Sequence, residues 1–426
     1  MIPLLLLAIL LPCRVAADFT EHLSLPSDPH TNNRRAGLTV PNNYIVTLKP
    51  GISPPDLTAH LNRIRSVHAR SSRQRRDTAG IEKVYTISSD FTAYAGSFDA
   101  ATLNQILASD DVEAVEPDMI WHLNAPSSPS SPSQSGAPKL TTQSNAPWGL
   151  GSISHRAPNQ TEYVYNAASS GQGTYAYIVD TGVLASHSEF EGRARMGYNA
   201  VPGSSATDNH GHGTHVAGTI GGRSYGVAKK TTLIAVKVFD MGISTTSTVL
   251  AGYTWAVNNI TASGRTADAV INVSTGGSTS DAFNRAIASA FGSGVLTVAA
   301  AGNDGLDASV SSPGSAPEAL TVSAVDVSNV RPSWANYGSL VDVFAPGVDV
   351  LSAYIGSDTS SALMEGTSAA APHVAGLALY LKGLDRRGNA APGDVIARIV
   401  GLGTAGVVGD AGSQSPKLLA YNGSGA

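Results

Sequence analysis

The sequence predicts a three-layer α/β fold for residues 140–426, with helices on both faces of a mainly parallel sheet, behind a small α+β domain. Three observations support this prediction. Segments of helical spacing alternate with short apolar segments such as 174–179 and 295–301. The apolar segments are continuous, which indicates strands buried on both faces. A Pro/Ser-rich stretch, 124–139, separates this region from the chain before it.

Composition indicates a globular chain with a large core. Of 426 residues, 42% are hydrophobic and 14% are charged, which suits two or three domains and argues against disorder. The formal net charge is −5, divided between the regions before and after Lys139. Neither region is a polycation, so the charge gives no support to nucleic-acid binding.

The amino terminus has the features of a signal peptide. The apolar run Met1–Pro12 is too short to span a bilayer, and small residues at Val15–Ala17 suit signal-peptidase cleavage. We therefore expect residues 1–17 to be removed and the protein to be secreted, extracellular and free of the membrane; a buried N-terminal helix is the alternative. Cys13 is the only cysteine, so the processed protein would contain no disulfide.

Residues 18–123 are predicted to form a propeptide, with a folded α+β part at about 42–122. Its predicted elements are a strand at 44–51, a helix with Leu57, Leu61 and Ile64 on one face, two strands within 84–98, a helix at 101–111 and a strand at 112–121. The basic stretch 68–79 is expected to be an exposed loop, although its run ending at Arg76 could admit a processing protease. Residues 124–139 are interpreted as a linker and processing region.

The remaining elements continue the alternation through the second region. The predicted strands are 174–179, 233–239, 269–274, 295–301 and 320–325, and the predicted helices are 215–222, 247–260, 281–291 and 368–384. In such a sheet, functional side chains collect at the carboxyl ends of the strands.

Asp180 and His212 are candidate catalytic residues. Asp180 ends the first apolar strand, where a carboxylate can accept a hydrogen bond from an imidazole and hold its tautomer. The triplet Asp-Thr-Gly also occurs in aspartic proteases, which need two copies, and the sequence holds one. His212 lies near a predicted helix start and is a natural general base. His210, His212 and His215 could instead bind zinc, but their spacing is not HExxH; His215 is expected to be buried and structural.

Ser368 and Asn303 are the other two candidate catalytic residues. Ser368 opens a predicted helix, so its hydroxyl would lie at the positive end of the helix dipole; a plain N-cap is the alternative. The Asn303 amide could donate to an oxyanion, or form a simple turn before Gly305. His212 comes 32 residues after Asp180, and Ser368 comes 156 residues after His212. That chain order is the order of subtilisin, unlike chymotrypsin or the α/β-hydrolases, and no G-x-S-x-G elbow is present.

Four blocks resemble the signatures of the subtilase family: YIVDTG at 177–182, GHGTHVAGTIGG at 211–222, VAAAGND at 298–304 and GTSAAAPHVAG at 366–376. Other segments, such as NAPWGLGSISH and KLLAYNG, resemble the proteinase K branch, especially the fungal alkaline proteases of the oryzin type. The resemblance covers nearly everything from Leu140 onward, and residues 44–121 resemble the family's inhibitor propeptide.

The resemblance implies a subtilisin-like fold and a serine endopeptidase that acts on proteins and peptides. Asp180 would orient His212 as the base, Ser368 would be the nucleophile, and Asn303 would share the oxyanion hole with the Ser368 N–H. Preference would be broad, for apolar or aromatic residues at P1. The propeptide would guide folding and then inhibit, and the zymogen would cleave itself between residues 124 and 142, near Leu140. We expect a monomer.

The resemblance also implies a substrate pocket and a metal site. The two walls of the P1 pocket would be Ser274, Thr275 and Gly276 on one side and Ala300, Ala301 and Gly302 on the other. A structural calcium ion would be held by the carbonyls of Pro317 and Ala319 and the carboxylate of Asp342. No catalytic metal is implied.

Three features depart from the family pattern. Ala369 stands where methionine is usual, and Thr275 stands where an apolar residue is usual. The proline-rich linker is longer than in relatives. Alanine at 369 should resist the oxidation that converts methionine to a polar sulfoxide.

Candidate N-glycosylation sequons occur at Asn159, Asn259 and Asn422. Asn272 also heads a sequon, but it lies in a predicted core strand and is expected to carry no glycan. Two rival functions stay open at this point: a non-catalytic secreted binding protein with the same fold, and a zinc hydrolase.

Overall fold

The structure, a computed structural model, describes residues 38–71, 79–123, 140–385 and 391–426. All of them belong to one compact unit, Gly37–Ala426. The expected signal peptide 1–17 with Cys13, the basic run ending at Arg76 and the linker 124–139 lie outside the described residues. No helix in the described ranges is both long enough and apolar enough to cross a membrane.

The first domain, residues 38–123, is an antiparallel sheet with two helices. Its elements are β1 (Thr39–Leu48), α1 (Pro54–Ser71), β2 (Gly80–Ile87), β3 (Phe91–Ser97), α2 (Ala100–Leu107) and β4 (Val112–His122). The strand order is β4-β1-β3-β2. Leu61 and Ile64 on one face of α1 pack with Val46, Tyr94 and Ile106 in the domain's core. The predicted α+β fold of this region is confirmed.

The second domain, residues 140–426, contains the other strands and helices. The strands are β5 (Leu140–Gln143), β6 (Tyr163–Asn166), β7 (Tyr175–Asp180), β8 (Ala194–Asn199), β9 (Thr232–Lys237), β10 (Ile243–Thr245), β11 (Ala269–Val273), β12 (Gly277–Ser278), β13 (Leu296–Ala300), β14 (Ser311–Ser312), β15 (Leu320–Val325), β16 (Val343–Pro346), β17 (Val350–Ala353), β18 (Ser361–Met364), β19 (Thr404–Ala405) and β20 (Leu418–Leu419). The helices are α3 (Trp148–Ser154), α4 (His212–Gly221), α5 (Thr246–Ala262), α6 (Asp281–Gly292), α7 (Thr367–Leu384) and α8 (Pro392–Leu402), with short 3-10 turns at Ser188–Phe190 and Ala308–Val310.

A nine-stranded sheet in the order β19-β20-β16-β15-β13-β11-β7-β9-β8 forms the middle layer. Every neighbouring pair is parallel except β19 with β20. The remaining strands of this domain form antiparallel pairs, β12 with β14, β17 with β18 and β5 with β6, except β10, which pairs with β4 of the first domain.

Alternate residues of β7 divide the core between the two faces of the sheet. Ala176 and Ile178 belong to a cluster that contains residues of α3, α4, α7 and α8. Tyr177 and Val179 belong to a second cluster that contains residues of α5 and α6. Helices on both faces of a parallel sheet give three layers, so the predicted fold class is confirmed.

Helix α4 begins at His212, three residues before the predicted start. Gly211 precedes it with φ of 100°, a conformation that suits glycine. The early start places the His212 side chain in the first helical turn, at the end of the sheet where Asp180 closes β7.

Candidate active site

Asp180 and His212 are in direct contact. Nδ1 of His212 lies 2.8 Å from Oδ1 and 2.9 Å from Oδ2 of Asp180. Both side chains are buried, at 0% exposed for Asp180 and 2% for His212. The Thr181 N–H donates to Asp180 Oδ1 at 2.7 Å. The carboxylate therefore accepts the proton on Nδ1, which leaves Nε2 as the basic nitrogen of the ring.

The environment of His212 raises its pKa above the ordinary value. Burial alone would lower this pKa, since a charged imidazolium loses its hydration. The charge and hydrogen bond of Asp180, with a smaller contribution from the charge of Asp208, outweigh that effect. The ring therefore takes up a proton more readily than a free histidine, as a general base requires.

Asp208 organises the loop that carries His212. Its Oδ1 accepts hydrogen bonds from Thr181 Oγ1 at 2.9 Å, from the His210 N–H at 3.0 Å and from the Gly211 N–H at 2.9 Å. Sequence reasoning missed this residue, although an aspartate four residues before a helix-opening histidine is a readable signal for a capping carboxylate.

Oδ2 of Asp208 accepts from Thr214 N at 2.9 Å and from Thr214 Oγ1 at 2.6 Å. The side chain of Asp208 is only 5% exposed. One buried carboxylate thus takes five hydrogen bonds and caps the first turn of α4, which carries His212.

The neighbouring histidines have separate surroundings. Nε2 of His215 lies 2.8 Å from the Val350 carbonyl oxygen, and burial lowers the pKa of His215 to about 3. Burial also lowers the pKa of His210. His215 is the buried, structural histidine that the sequence predicted. The two rings bind different groups, because His215 contacts a backbone carbonyl and His212 contacts the Asp180 carboxylate.

Ser368 and Asn303 face the same small space. A Cβ built on Gly366 would lie 2.9 Å from Ser368 Oγ, 3.5 Å from Asn303 Nδ2 and 3.6 Å from Ser368 N. Asn303 Oδ1 accepts from Thr367 N at 2.8 Å and from Thr367 Oγ1 at 2.9 Å, which turns the Nδ2 donor toward that space. Two donors and a hydroxyl therefore converge beside Gly366, whose φ of 138° holds the backbone open there.

Ser368 occupies the second position of α7, and α7 packs beside α4 on one face of the sheet. Within the described ranges the structure contains no hydrogen bond between Ser368 and His212. Of the three predicted triad members, the structure joins Asp180 to His212 and places Ser368 beside the Asn303 amide.

The residues predicted as pocket walls follow adjacent strands. Ser274, Thr275 and Gly276 come directly after β11, and Ala300, Ala301 and Gly302 lie at and after the end of β13. The two strands are hydrogen-bonded partners, with Val273 opposite Ala299. The predicted walls thus begin side by side, at the same sheet end as Asp180.

The last strand of the first domain lies along the second domain. β4 pairs antiparallel with β10, with Trp121 opposite Ser244, and the Leu123 N–H donates to the Gly242 carbonyl at 2.9 Å. A Cβ built on Gly242 would lie 3.1 Å from His210 Nε2, and the His210 ring lies 6.4 Å from the His212 ring. The strand therefore runs toward His212 as its residue numbers rise.

Two carboxylates of β4 bind the amino ends of helices in the second domain. Glu116 accepts from the Ala282 N–H at 3.1 Å and from Ser280 Oγ at 2.5 Å, at the start of α6. Asp118 accepts from the Ser247 N–H at 2.9 Å, at the start of α5. Burial raises the pKa of both carboxyls. Helix N-termini favour negative charge, so these contacts hold the first domain against the second.

The predicted calcium ligands lie at the beginnings of two neighbouring strands. Ala319 directly precedes β15, Asp342 directly precedes β16, and the two strands are paired. Asp342 Oδ2 accepts from the Thr321 N–H at 2.7 Å, and burial raises the pKa of Asp342 to about 6. No salt bridge to Asp342 occurs in the described part of the chain. A half-buried carboxylate without a cationic partner, beside backbone carbonyls, fits a hard cation such as Ca²⁺.

The sequons differ in accessibility. Asn159 is exposed, whereas Asn259 is half-buried and its Oδ1 accepts from Tyr177 OH at 2.7 Å. Asn422 is only 4% exposed, and its Nδ2 donates to the Val164 carbonyl at 2.9 Å, so the fold argues against the expected glycan at this position. Asn272 is fully buried, as the sequence predicted.

Comparison with known proteins identifies the family of both domains. The Subtilase family profile matches residues 171–401, and the Peptidase inhibitor I9 profile matches residues 43–124. The chain is 52% identical to "Subtilisin-like proteinase Mp1" of Magnaporthiopsis poae over 94% of this chain and 96% of that protein. It is 50% identical to "Alkaline protease 1" of Aspergillus clavatus over 99% of this chain and 98% of that protein.

A solved structure, that of a cold adapted subtilisin-like serine proteinase, covers 66% of this chain and 99% of its own chain, with a TM-score of 0.60 and 38% identity. The fold, the paired Asp180 and His212 and these likenesses agree. The chain therefore belongs to the subtilase family of serine proteases and carries a peptidase inhibitor I9 domain ahead of its protease domain.

Proposed function

We propose that Asp180, His212 and Ser368 hydrolyse peptide bonds through an acyl-enzyme. Ser368 Oγ attacks the scissile carbonyl carbon as His212 Nε2 takes its proton, and His212 then gives that proton to the leaving amine. Water repeats the sequence and releases the acyl group. The observation that supports this proposal is the buried contact of His212 Nδ1 with both oxygens of Asp180. This contact holds the proton on Nδ1 and leaves Nε2 free to accept the proton of Ser368. The contact of Nε2 with Ser368 is expected to form when substrate binds.

Asn303 and the Ser368 N–H would stabilise the oxyanion. Both donors border the space beside Gly366 that Ser368 Oγ also borders. Because the carbonyl oxygen gains its charge only as the Oγ–C bond forms, donors already directed at that position lower the energy of the transition state more than that of the substrate.

A serine-directed fluorophosphonate tests the nucleophile. It should label the wild-type protein and the control Ser328→Ala, whose side chain is exposed, but not Ser368→Ala. Hydrolysis of casein should follow the same pattern. Full labelling of Ser368→Ala at another residue would refute the assignment. Immediate loss of activity on adding a chelator would instead favour the zinc hydrolase.

The first domain would inhibit the enzyme through β4. Its paired end at Leu123 already lies along β10 and beside His210, so the next peptide bonds in the sequence are the first that can reach His212. We therefore expect self-cleavage directly after Asn124 rather than near Leu140, which is paired in β5 with β6. Amino-terminal sequencing of the secreted protein should give Ala125. An unprocessed Ser368→Ala chain would support self-cleavage, and identical ends in both proteins would exclude it.

The sequence and site support further expectations. The apolar run Met1–Pro12 supports secretion, which a search for the protein in culture medium would test. The small residues at Ala300 and Gly302 support a P1 pocket for apolar or aromatic side chains, which a peptide library would test. Mass spectrometry of the secreted protein would reveal a glycan at the exposed Asn159.

A further inference from the structure

Lys237 is a buried cation at the sheet end that carries Asp180. Its side chain is 0% exposed. β9 and β7 are parallel partners with Lys237 opposite Asp180, and the Val238 N–H donates to the Asp180 carbonyl oxygen at 2.8 Å. Residues opposite each other on neighbouring strands project to the same face of the sheet. The ammonium group and the catalytic carboxylate therefore belong to one face.

The ammonium group of Lys237 contacts three separate segments of the site. Nζ donates to the Thr181 carbonyl oxygen at 2.7 Å and to Asn209 Oδ1 at 3.1 Å. Asp240 Oδ1 lies 3.6 Å from the same nitrogen. Thr181 directly follows β7, Asn209 lies in the loop before α4, and Asp240 opens the turn that leads to β10. A buried ammonium is costly unless its N–H bonds find acceptors, and here a carbonyl, an amide oxygen and a carboxylate surround it.

Two of these contacts continue to the catalytic pair. The Thr181 N–H donates to Asp180 Oδ1 at 2.7 Å. Thr181 Oγ1 accepts from the Gly213 N–H at 2.9 Å, and Gly213 directly follows His212. Asn209 lies three residues before His212. The ammonium group is therefore bonded both to the residue that orients the Asp180 carboxylate and to the loop that leads to His212.

The charge of Lys237 also acts on its ionisable neighbours. Burial lowers the pKa of Lys237, and the charges of Asp240, Asp208 and Asp180 act against that effect. Interactions between charges are mutual, so the ammonium in turn favours the ionised form of these carboxylates. The same ammonium adds to the effect of burial in lowering the pKa of His210. Its positive charge is thus felt on both sides of the catalytic pair.

We propose that Lys237 is a positioning residue for the Asp180–His212 pair. Its ammonium fixes the Thr181 peptide and the Asn209 side chain relative to each other, and so sets where Nε2 of His212 lies. General-base catalysis needs that nitrogen within hydrogen-bond reach of the hydroxyl, and a displacement of about 1 Å can cost on the order of a hundredfold in rate. The inference rests on the proposed function, because it assumes that His212 is the base.

Lys237→Met tests the role, because methionine has a similar length and carries neither charge nor donors. We expect kcat on a peptide p-nitroanilide, referred to sites counted with a fluorophosphonate, to fall about tenfold to a hundredfold with little change in KM. The acid limb of kcat/KM should move up by about half a pH unit, because a positive charge near the base is gone. A kcat within about twofold of the wild type, or an unmoved acid limb, would overturn the proposal.

Lys382→Met is the matched control. Lys382 is also buried, and its Nζ donates to the Ala267 carbonyl at 3.0 Å, but it lies near the end of α7, fourteen residues after Ser368. This variant should lower Tm and leave kcat and the acid limb in place; equal changes in both variants would show a merely structural role and overturn the inference.

Asn209→Ala keeps the ammonium and removes one of its acceptors. Its kcat should fall about threefold to tenfold with the acid limb in place. If Lys237→Met yields no folded protein, an unchanged kcat in Asn209→Ala would overturn the proposal. Full activity of Ser368→Ala would instead refute the proposed function itself.

Discussion

Replacing Asp208 by asparagine removes one charge from a side chain that holds the base in place. Its two oxygens accept five hydrogen bonds, and an asparagine offers only one oxygen. If the amide oxygen keeps the Oδ1 contacts, its NH₂ group faces the Thr214 N–H, which is buried. That N–H loses its acceptor, and the charge-assisted bonds become neutral.

The cost can be worked out from these contacts. One buried donor left unpaired and the weakening of the remaining bonds should together cost about 3 kcal/mol. For a protease domain of this size that corresponds to a fall in Tm of about 5 °C. Removal of the Asp208 charge also removes one of the contributions that raise the pKa of His212. The base must be neutral to act, so the acid limb of the kcat/KM profile should move to lower pH.

The assay combines a pH profile of kcat/KM with calorimetry. Thr214→Val is the control: it loses the hydroxyl bond to Asp208 but keeps the carboxylate. It should therefore lower Tm while its acid limb stays in place. An Asp208→Asn enzyme with an unmoved acid limb, or with the wild-type Tm, would contradict the assigned role.

Three further outcomes are expected. Asn303→Ala should lower kcat by about two to three orders of magnitude with little change in KM, which steady-state kinetics on a peptide anilide would show. This magnitude is the one found for an oxyanion-hole donor in the related subtilisin. Calcium should raise Tm by less as the pH falls, because protons compete with the cation for Asp342, whose pKa burial already raises, whereas Asp342→Asn should respond less to calcium than the wild type at neutral pH. Ala369→Met should make activity decay faster in peroxide. An unchanged half-life would show that alanine at this position does not protect the enzyme from oxidation.

Much of the fold was predictable, because all residues of a central strand are buried in the same apolar surroundings. The strands of the parallel sheet are buried on both faces, so their sequences are continuously apolar, and Asp180 was found by its position at the end of one of them. The I9 domain was predictable for a related reason: Leu61 and Ile64 recur at helical spacing because one face of α1 packs on a sheet.

The rest depends on contacts between distant residues. Asp208 accepts four of its five hydrogen bonds from residues within six positions, so its capping role had a local signal, but its contact with Thr181, 27 positions away, had none. The register of β4 on β10 joins two domains, and no local pattern encodes it. Asn422 was named as a candidate glycosylation site because sequon spacing carries no information about the Val164 carbonyl, 258 positions away, that accepts from its amide.

The contacts of Glu116 and Asp118 imply that the free energy of folding differs between the full chain and the protease domain alone. While the first domain is present, the opening turns of α5 and α6 are completed by carboxylates from another part of the chain. If self-cleavage removes that domain, as proposed above, those N–H groups must donate to water instead. The partner that favoured the correct arrangement no longer exists, so the finished enzyme would persist because its unfolding is slow rather than because its refolding is favourable. We expect that a sample unfolded in urea and then diluted would not regain activity by itself.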